Sequence, residues 1–309
     1  MWPEIEKLLT NQQLNDFDNL LSDEIQEFVK TEKIDEQFLS SFKTVYLPLA
    51  KWIESKHEHE PVIIGINGAQ GSGKSTLSKL LRLILERLFD INVLHLSIDD
   101  LYLSRSKRLS LANSIHPMLK VRGVPGTHNV ELGISILSSI KQSFNFEIKI
   151  PVFDKAIDDL ASEDQWSVMN QKVDVVLFEG WCVDAKPQPE HELIQPVNQL
   201  EAIEDAKLVW RTYVNKQLAE KYTQLFSCID YLIMLEVPDM DSVYKWRAQQ
   251  ENKLKNKLNT AKQTMSESEI RQFIMYFERI TKACLNEMPE RADVLLKVNK
   301  AHQIVSVKL

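Results

Sequence analysis

The stretch that decides the fold is Pro61-Val62-Ile63-Ile64-Gly65-Ile66-Asn67-Gly68-Ala69-Gln70-Gly71-Ser72-Gly73-Lys74-Ser75. Residues 61–67 form a short apolar run, rich in β-branched side chains and bounded by proline and glycine, which predicts a buried strand. Residues 68–75 read G-x-x-x-x-G-K-S, and apolar residues recur at helical spacing from 75 to 88. A strand, a glycine-rich loop and an amphipathic helix in this order are the context that a phosphate-binding P-loop requires.

The loop residues predict nucleotide chemistry. Glycines let successive backbone N–H groups converge on phosphate oxygens, and the following helix N-terminus adds a favourable dipole. We expect Lys74 to reach the β- and γ-phosphates of ATP and the Ser75 hydroxyl to bind Mg²⁺. A flexible glycine–serine linker, the alternative, does not explain a Lys-Ser pair at the start of a helix. The predicted nucleotide-binding residues are Gly68, Ala69, Gln70, Gly71, Ser72, Gly73, Lys74, Ser75 and Thr76.

Apolar runs farther along the chain extend the prediction to the whole fold. Further strands are predicted over 92–98, 147–152, 173–178 and 229–237, with 294–298 as a sixth candidate. Helical segments lie between most of them, including the long stretch 206–225. This alternation indicates βαβ units, so we predict an α/β fold, a three-layer P-loop NTPase sandwich with a mainly parallel sheet. Residues 1–58 read as an N-terminal helical extension and 59–309 as the P-loop domain.

Composition narrows the class of function. The chain has 309 residues and a formal net charge of −7, with 44% hydrophobic and 26% charged residues. This acidic balance argues against nucleic acid as a partner, because non-specific binding needs a basic face. No apolar run approaches the roughly 20 residues that span a bilayer, and the N-terminus lacks a signal or transit pattern. We therefore expect a cytoplasmic protein with reduced cysteines and no membrane partner, as a monomer or a homodimer.

Acids follow two of the predicted strands, at the positions where ligands meet a parallel sheet. Asp99 and Asp100 come directly after the second strand, where a carboxylate can accept the proton of an attacking hydroxyl. Glu179 follows the fourth strand, where an acid can orient Mg²⁺ or hold the acceptor. A helix cap is the alternative for the aspartates, and a solvent-facing side chain for the glutamate. Their position beside a P-loop favours catalysis, and Gly180 indicates a close approach there.

An ordered series of motifs carries a family resemblance. The sequence lacks an Asn-Lys-x-Asp guanine reader, which argues against a GTPase. After the P-loop come Ser97-Ile98-Asp99-Asp100-Leu101-Tyr102-Leu103, Arg122-Gly123-Val124-Pro125-Gly126-Thr127-His128, Pro151-Val152-Phe153-Asp154-Lys155, Leu177-Phe178-Glu179-Gly180-Trp181 and Val243-Tyr244-Lys245-Trp246-Arg247. The series resembles the D-glycerate 3-kinases of the plant and fungal type and their bacterial relatives. These belong to the phosphoribulokinase/uridine kinase/pantothenate kinase group of P-loop kinases.

The resemblance implies a kinase that uses ATP and Mg²⁺ to phosphorylate a hydroxyl of a small molecule. It implies that Asp99 is the general base and that a basic lid, over about 247–265, begins at Arg247. The implied catalytic residues are Lys74, Asp99, Glu179 and Arg247, and the implied metal ligands are Ser75, Asp99 and Glu179. The predicted acceptor residues are Asp100, Tyr102, Arg122, His128, Asp154, Lys155 and Trp181.

Two departures from the family pattern bear on the acceptor. Asn129 stands where the family commonly has aspartate, and residues 156–160 read Ala-Ile-Asp-Asp-Leu, without an arginine expected near the acceptor. D-Glycerate is the leading acceptor. The alternatives are another acceptor (a nucleoside, a pantothenate-like molecule or a sugar) and a non-catalytic ATP-binding regulatory protein.

Overall fold

The computed structural model of the protein describes residues 10, 22–32, 34, 41–58, 60–142, 147–258 and 265–309. The helices are α1 Ser22–Glu32, α2 Leu47–Glu54, α3 Lys74–Leu88, α4 Arg105–Ser114, α5 Val130–Lys141, α6 Gln199–Glu204, α7 Val209–Gln217, α8 Thr223–Phe226, α9 Met240–Leu258 and α10 Glu267–Glu287. The strands are β1 Val62–Gly68, β2 Val93–Ser97, β3 Ile148–Ile150, β4 Phe153–Asp154, β5 Asp159–Leu160, β6 Ser167–Met169, β7 Val175–Gly180, β8 Tyr231–Glu236, β9 Val294–Val298 and β10 Ile304–Lys308. Short 3₁₀ and π segments connect several of these elements.

The central sheet has the strand order β10-β9-β8-β1-β7-β2. β1 lies in the middle, where Ile64 is opposite Leu177 of β7 and Tyr231 of β8. All neighbouring pairs run parallel except the edge pair β9–β10. The predicted mainly parallel sheet is therefore confirmed. Because the carboxyl ends of parallel strands meet at one edge, the segments that follow β1, β2, β7 and β8 come together there.

Two hydrophobic cores cover the two faces of this sheet, which confirms the three-layer architecture. Alternate residues of one strand enter different cores: Ile64 packs with α2 and α3 on one face, and Ile63 packs with α5 and α10 on the other. β1 is buried along its whole length. This explains why its sequence is a continuous apolar run rather than an alternating one.

One predicted strand of the sheet is wrong. Residues 148–150 form β3, which pairs antiparallel with β6 in a separate two-stranded sheet. Lys149 is exposed and Ile150 is buried, so the segment has the alternation of a half-exposed antiparallel strand. The edge strand β10 was not predicted from the sequence, and it alternates in a similar way.

The predicted N-terminal extension is described only in part, since residues 1–9 and 11–21 lie outside the described residues. A π segment, Phe42–Tyr46, leads directly into α2. Leu47, Leu49 and Ile53 of α2 are buried in the core that also holds β1 and α3. The chain from residue 42 therefore shares the core of the P-loop domain, and the boundary at residue 58 stays a prediction.

The longest described helix, α10, has 21 residues and is amphipathic. Its N-terminus carries a capping box, in which the Ser266 side chain accepts from the backbone of Glu269 and the Glu269 carboxylate accepts from the backbone of Ser266. In the part of the chain that is described, no helix combines the length and apolar character needed to cross a membrane.

Candidate active site

The P-loop connects the end of β1 to the start of α3. Gly73, the N-cap of α3, has φ = 94°, and Gly71 has φ = 79°. Residues other than glycine rarely adopt a positive φ, so these two glycines allow the backbone to fold back on itself. The loop leads directly into the N-terminus of α3. The free N–H groups and the dipole at this helix end favour an anion such as phosphate.

A hydroxyl and a buried acid meet beside the loop. Ser75 Oγ donates a 2.7 Å hydrogen bond to Oε1 of Glu179, whose side chain is 3% exposed. Oε2 of Glu179 is buried and has no hydrogen-bond partner among the described residues. A carboxylate oxygen left without a partner next to a hydroxyl fits the small number of protein ligands that Mg²⁺ takes beside nucleotide phosphates. Among the described residues, no group of three or more acids, histidines or cysteines could hold a metal without such help.

Close packing brings the two acidic segments together. A Cβ on Gly180 would lie 2.4 Å from Cγ2 of Ile98, so only glycine allows β7 to approach the turn after β2 this closely. The approach indicated by Gly180 in the sequence is therefore present. It brings the 3₁₀ turn Ile98–Leu101 to the edge of the sheet where Glu179 lies.

Asp99 is held between two donors. Its Oδ1 accepts from the Tyr102 hydroxyl at 2.7 Å, and its Oδ2 accepts from Lys155 Nζ at 2.7 Å. Burial by itself would raise the pKa of Asp99, but the charge and hydrogen bond of Lys155, the Tyr102 hydroxyl and the charge of Lys74 outweigh it. Together they lower the pKa to about 2. Asp99 is therefore an ionised carboxylate throughout the neutral pH range.

Asp100, its neighbour, is shifted in the opposite direction. Burial, followed by the negative charge of Asp99, raises its pKa to about 6, and Glu179 adds to the effect. Three carboxylates thus crowd one edge of the sheet. A divalent cation at this edge would relieve their mutual repulsion.

A cavity of about 470 Å³ joins Asp99 to the P-loop, whereas Asp100 and Glu179 do not line it. Its lining residues are Glu32, Gln70, Gly71, Lys74, Ser75, Asp99, Tyr102, Arg122, Lys155, Arg247, Gln250, Phe273 and Phe277. The fold therefore brings four of the nine predicted nucleotide-binding residues, the predicted base and two predicted acceptor cations into one space. Glu32, Gln250 and the two phenylalanines were not foreseen, because no local motif marks them.

Arg247 reaches this cavity from α9. Its side chain is 16% exposed, pairs with Glu251 at 2.9 Å and lies 5.4 Å from the centre of the Phe273 ring. The predicted lid begins in this helix. Residues 259–264 of the lid prediction lie outside the described residues.

Four predicted acceptor residues, Asp100, Trp181, His128 and Asp154, do not line the cavity. Trp181 is buried and donates from its indole nitrogen to the Gly123 carbonyl at 2.9 Å. His128 is buried, and its Nδ1 lies 2.5 Å from the Tyr222 hydroxyl. Asp154 is exposed and accepts from the Ala156 backbone at 2.8 Å within its own turn.

His128 is also uncharged. Burial lowers its pKa to about 4, so the imidazole is neutral at neutral pH and does not supply a cation for an acidic acceptor. Its ring stacks on Tyr102 with 4.8 Å between ring centres. His128 therefore supports the tyrosine that holds Asp99.

A second cavity of about 430 Å³ lies on the other side of the P-loop. Gly71, Glu32 and Gln250 line both cavities, so the two spaces meet at these residues. In the second cavity the rings of Trp246 and His302 are stacked, with centres 4.3 Å apart. Sequence reasoning missed His302, which lies in the turn between β9 and β10, far along the chain from its partner.

Comparison with known proteins identifies the family of this chain. A model of the KAP family P-loop domain matches residues 42–285. The uncharacterized kinase mug58 of Schizosaccharomyces pombe is 34% identical over 249 residues, covering 77% of this chain and 87% of that protein. The chloroplastic D-glycerate 3-kinase of Arabidopsis thaliana is 26% identical over 260 residues, covering 78% of this chain but 54% of that protein. This chain thus spans about half the length of the Arabidopsis enzyme.

A solved structure shows the same fold. The D-glycerate 3-kinase from Cryptococcus neoformans superposes with a TM-score of 0.71 at 23% identity, covering 85% of this chain and 97% of that one. At this identity the match shows a common fold.

Proposed function

We propose that this chain transfers the γ-phosphoryl group of ATP to a hydroxyl of a small carboxylated metabolite. The chain belongs to the KAP family of P-loop domains and is a small-molecule P-loop kinase. D-Glycerate is the leading acceptor, and 3-phosphoglycerate would be the product. The observation that carries the proposal is the setting of Asp99, which is held by Tyr102 and Lys155 in the same cavity as Lys74.

The nucleotide would lie across the two cavities. Its phosphates would lie on the loop between Gly68 and Ser75, and its base would enter the second cavity beside the stacked rings of Trp246 and His302. An aromatic wall suits a purine, because offset stacking of flat rings is favourable. Ser75 and Glu179 would hold Mg²⁺, which when bound offsets negative charge on the phosphates.

Asp99 would act on the acceptor. As the acceptor oxygen attacks the γ-phosphorus, the bond from that phosphorus to the ADP oxygen breaks and the hydroxyl proton passes to Asp99. A carboxylate with a low pKa suits a late proton transfer, because in a loose transition state the attacking oxygen gains little charge early. Lys74 and Arg247 line the same cavity and would stabilise the charge on the moving phosphoryl group.

The acceptor would be an anion. Arg122 and Lys155 are the cations on the acceptor side of the cavity, and guanidinium groups bind carboxylates through two parallel hydrogen bonds. The D-glycerate 3-kinases among the similar proteins support a hydroxy acid as the substrate.

An acceptor panel tests the proposal. ADP release would be measured with D-glycerate, L-glycerate, glycerol, pantothenate, a nucleoside and a hexose, with the Asp99→Asn protein as the control for contaminating kinases. We expect release that depends on D-glycerate and is lost in the control. Nucleotide binding without release on any acceptor would contradict the proposal and favour a regulatory ATP-binding protein.

A further inference from the structure

A buried arginine lies behind the acceptor side of the cavity. The side chain of Arg108 is 1% exposed, and its guanidinium donates to the carbonyls of Leu103 at 3.2 Å, Lys120 at 2.9 Å and Asp158 at 2.6 Å. Nη2 also lies 3.0 Å from Oδ2 of Asp158. A buried cation is stable only when its donors are satisfied and its charge is matched, so Arg108 fixes the loop that it contacts.

Asp158 is held through both its backbone and its side chain. Its backbone has φ = 56°, its carbonyl and Oδ2 contact Arg108, and Oδ1 accepts from Nη1 of Arg122. With both oxygens engaged, this carboxylate is a fixed support between two arginines rather than a free surface charge.

Arg122 is oriented by this support. One end of its guanidinium bonds to Asp158, and its centre lies 5.4 Å from the centre of the Phe153 ring. Its side chain is 29% exposed and lines the cavity that contains Asp99 and Lys74. Within the described part of the chain, Asp158 is its only hydrogen-bond partner. A guanidinium has five N–H donors, so most of those on Arg122 remain for a ligand.

We infer that Asp158, anchored by Arg108, is a positioning residue that fixes Arg122 to bind the carboxylate of a monoanionic acceptor; this rests on the kinase function proposed above. The paired side chains of Arg108, Arg122 and Asp158 carry one net positive charge, while Lys155 is paired with Asp99. One net charge suits a monocarboxylate, whereas a phosphorylated acceptor would leave negative charge uncompensated. Arg108 thus acts from α4 through Asp158, without contacting the cavity itself.

The opposite role for Asp158 gives the opposite result. If Asp158 only occupied the carboxylate site, its removal would free Arg122 and tighten acceptor binding. If it positions Arg122, its removal weakens binding of anionic acceptors and leaves neutral acceptors unaffected.

Asp158→Asn tests the inference, because asparagine tolerates the positive φ and keeps the shape while the charge is lost. The matched control is Asp164→Asn, which removes the same charge from an exposed position on the following 3₁₀ turn. Titration calorimetry with D-glycerate and with glycerol, in the presence of ADP, measures binding without turnover. The KM values for D-glycerate and ATP are measured in parallel.

We expect Asp158→Asn to weaken D-glycerate binding and raise its KM about tenfold, the size of one charge-assisted contact, with glycerol binding and the KM for ATP unchanged. In a background of Arg122→Lys the effect should shrink, since Asp158 acts through Arg122. Unchanged or tighter D-glycerate binding in Asp158→Asn would overturn the inference. So would a wild-type protein that binds glycerol as well as D-glycerate. If D-glycerate binds as expected but no ADP is released, the proposed function fails while the role of Asp158 stands.

Discussion

The two halves of the central cavity are built in different ways. The nucleotide half comes from one contiguous stretch, residues 68–75, in which glycine backbone conformations determine the shape. The acceptor half is assembled from side chains of separate segments: Asp99 follows β2, Arg122 precedes α5, and Lys155 lies in the turn between β4 and β5. A site formed mainly by backbone depends little on ion pairs between side chains. A site formed by side chains depends on each ion pair that orients them.

From this contrast we expect substitutions in the acceptor half to lower kcat without changing ATP binding. Substitutions in the nucleotide half should change both kcat and ATP binding. The substitution with the largest expected effect is Asp99→Asn, which removes the base. We expect kcat to fall by about 10³- to 10⁴-fold, because general base catalysis contributes up to that amount. The KM for ATP should stay within about threefold, since Asp99 does not touch the P-loop. Steady-state ADP release checks both values.

Because the pKa of Asp99 is about 2, its carboxylate stays ionised through the neutral range. A loss of wild-type activity near pH 5 therefore should not come from this group. Transfer that persists in Asp99→Asn would mean that another group takes the proton.

Lys74→Ala tests the nucleotide half. We expect kcat to fall about 10²- to 10³-fold, as when one charge-stabilising donor is removed, together with a rise in the KM for ATP. Arg82→Ala is the matched control, because Arg82 lies on the same helix but pairs with Glu86 at 2.8 Å, and neither residue lines either cavity. A change in kcat without any change in ATP binding would break the distinction between the two halves.

Asp100→Asn tests whether burial and the neighbouring carboxylates Asp99 and Glu179 raise the pKa of Asp100. A carboxyl whose folded pKa is raised from 3.8 to about 6 favours the folded state below pH 3.8, and that contribution is lost as the pH rises through 6. At pH 8 the variant should therefore be about 1–2 kcal/mol more stable than the wild type and unfold at a higher temperature. The difference should be smaller at pH 4.5. Thermal unfolding across this range checks the sign. A difference that does not vary with pH would refute the raised pKa.

Trp181→Phe has the smallest expected effect on activity. The indole N–H that satisfies the Gly123 carbonyl is lost, so we expect about 1–3 kcal/mol less stability in urea unfolding. The KM for the acceptor should change less than about twofold, because Trp181 supports the acceptor half from behind. A raised acceptor KM at unchanged stability would instead place the ring in contact with substrate.

The contrast also explains which parts of the molecule could be predicted from the sequence. β1, the P-loop and the convergence of Asp99 with Glu179 follow from an apolar run, a local motif and a general rule for parallel sheets. The burial of His128 and the support of Arg122 by Asp158 follow from no local pattern, since the partners come from distant segments. The sequence predicted His128 as an acceptor residue, whereas the structure buries it, neutral, behind Tyr102.

The contact between Gly71 and α9 restricts how this sequence can vary. In the general motif the position of Gly71 accepts any residue, yet here a Cβ would lie 2.8 Å from Cβ of Trp246. Trimming the tryptophan to alanine would leave that clashing atom in place, so only a second glycine would remove it. Glycine at position 71 is therefore required twice, by its φ of 79° and by its packing against α9, so this loop accepts fewer residues than the general motif allows.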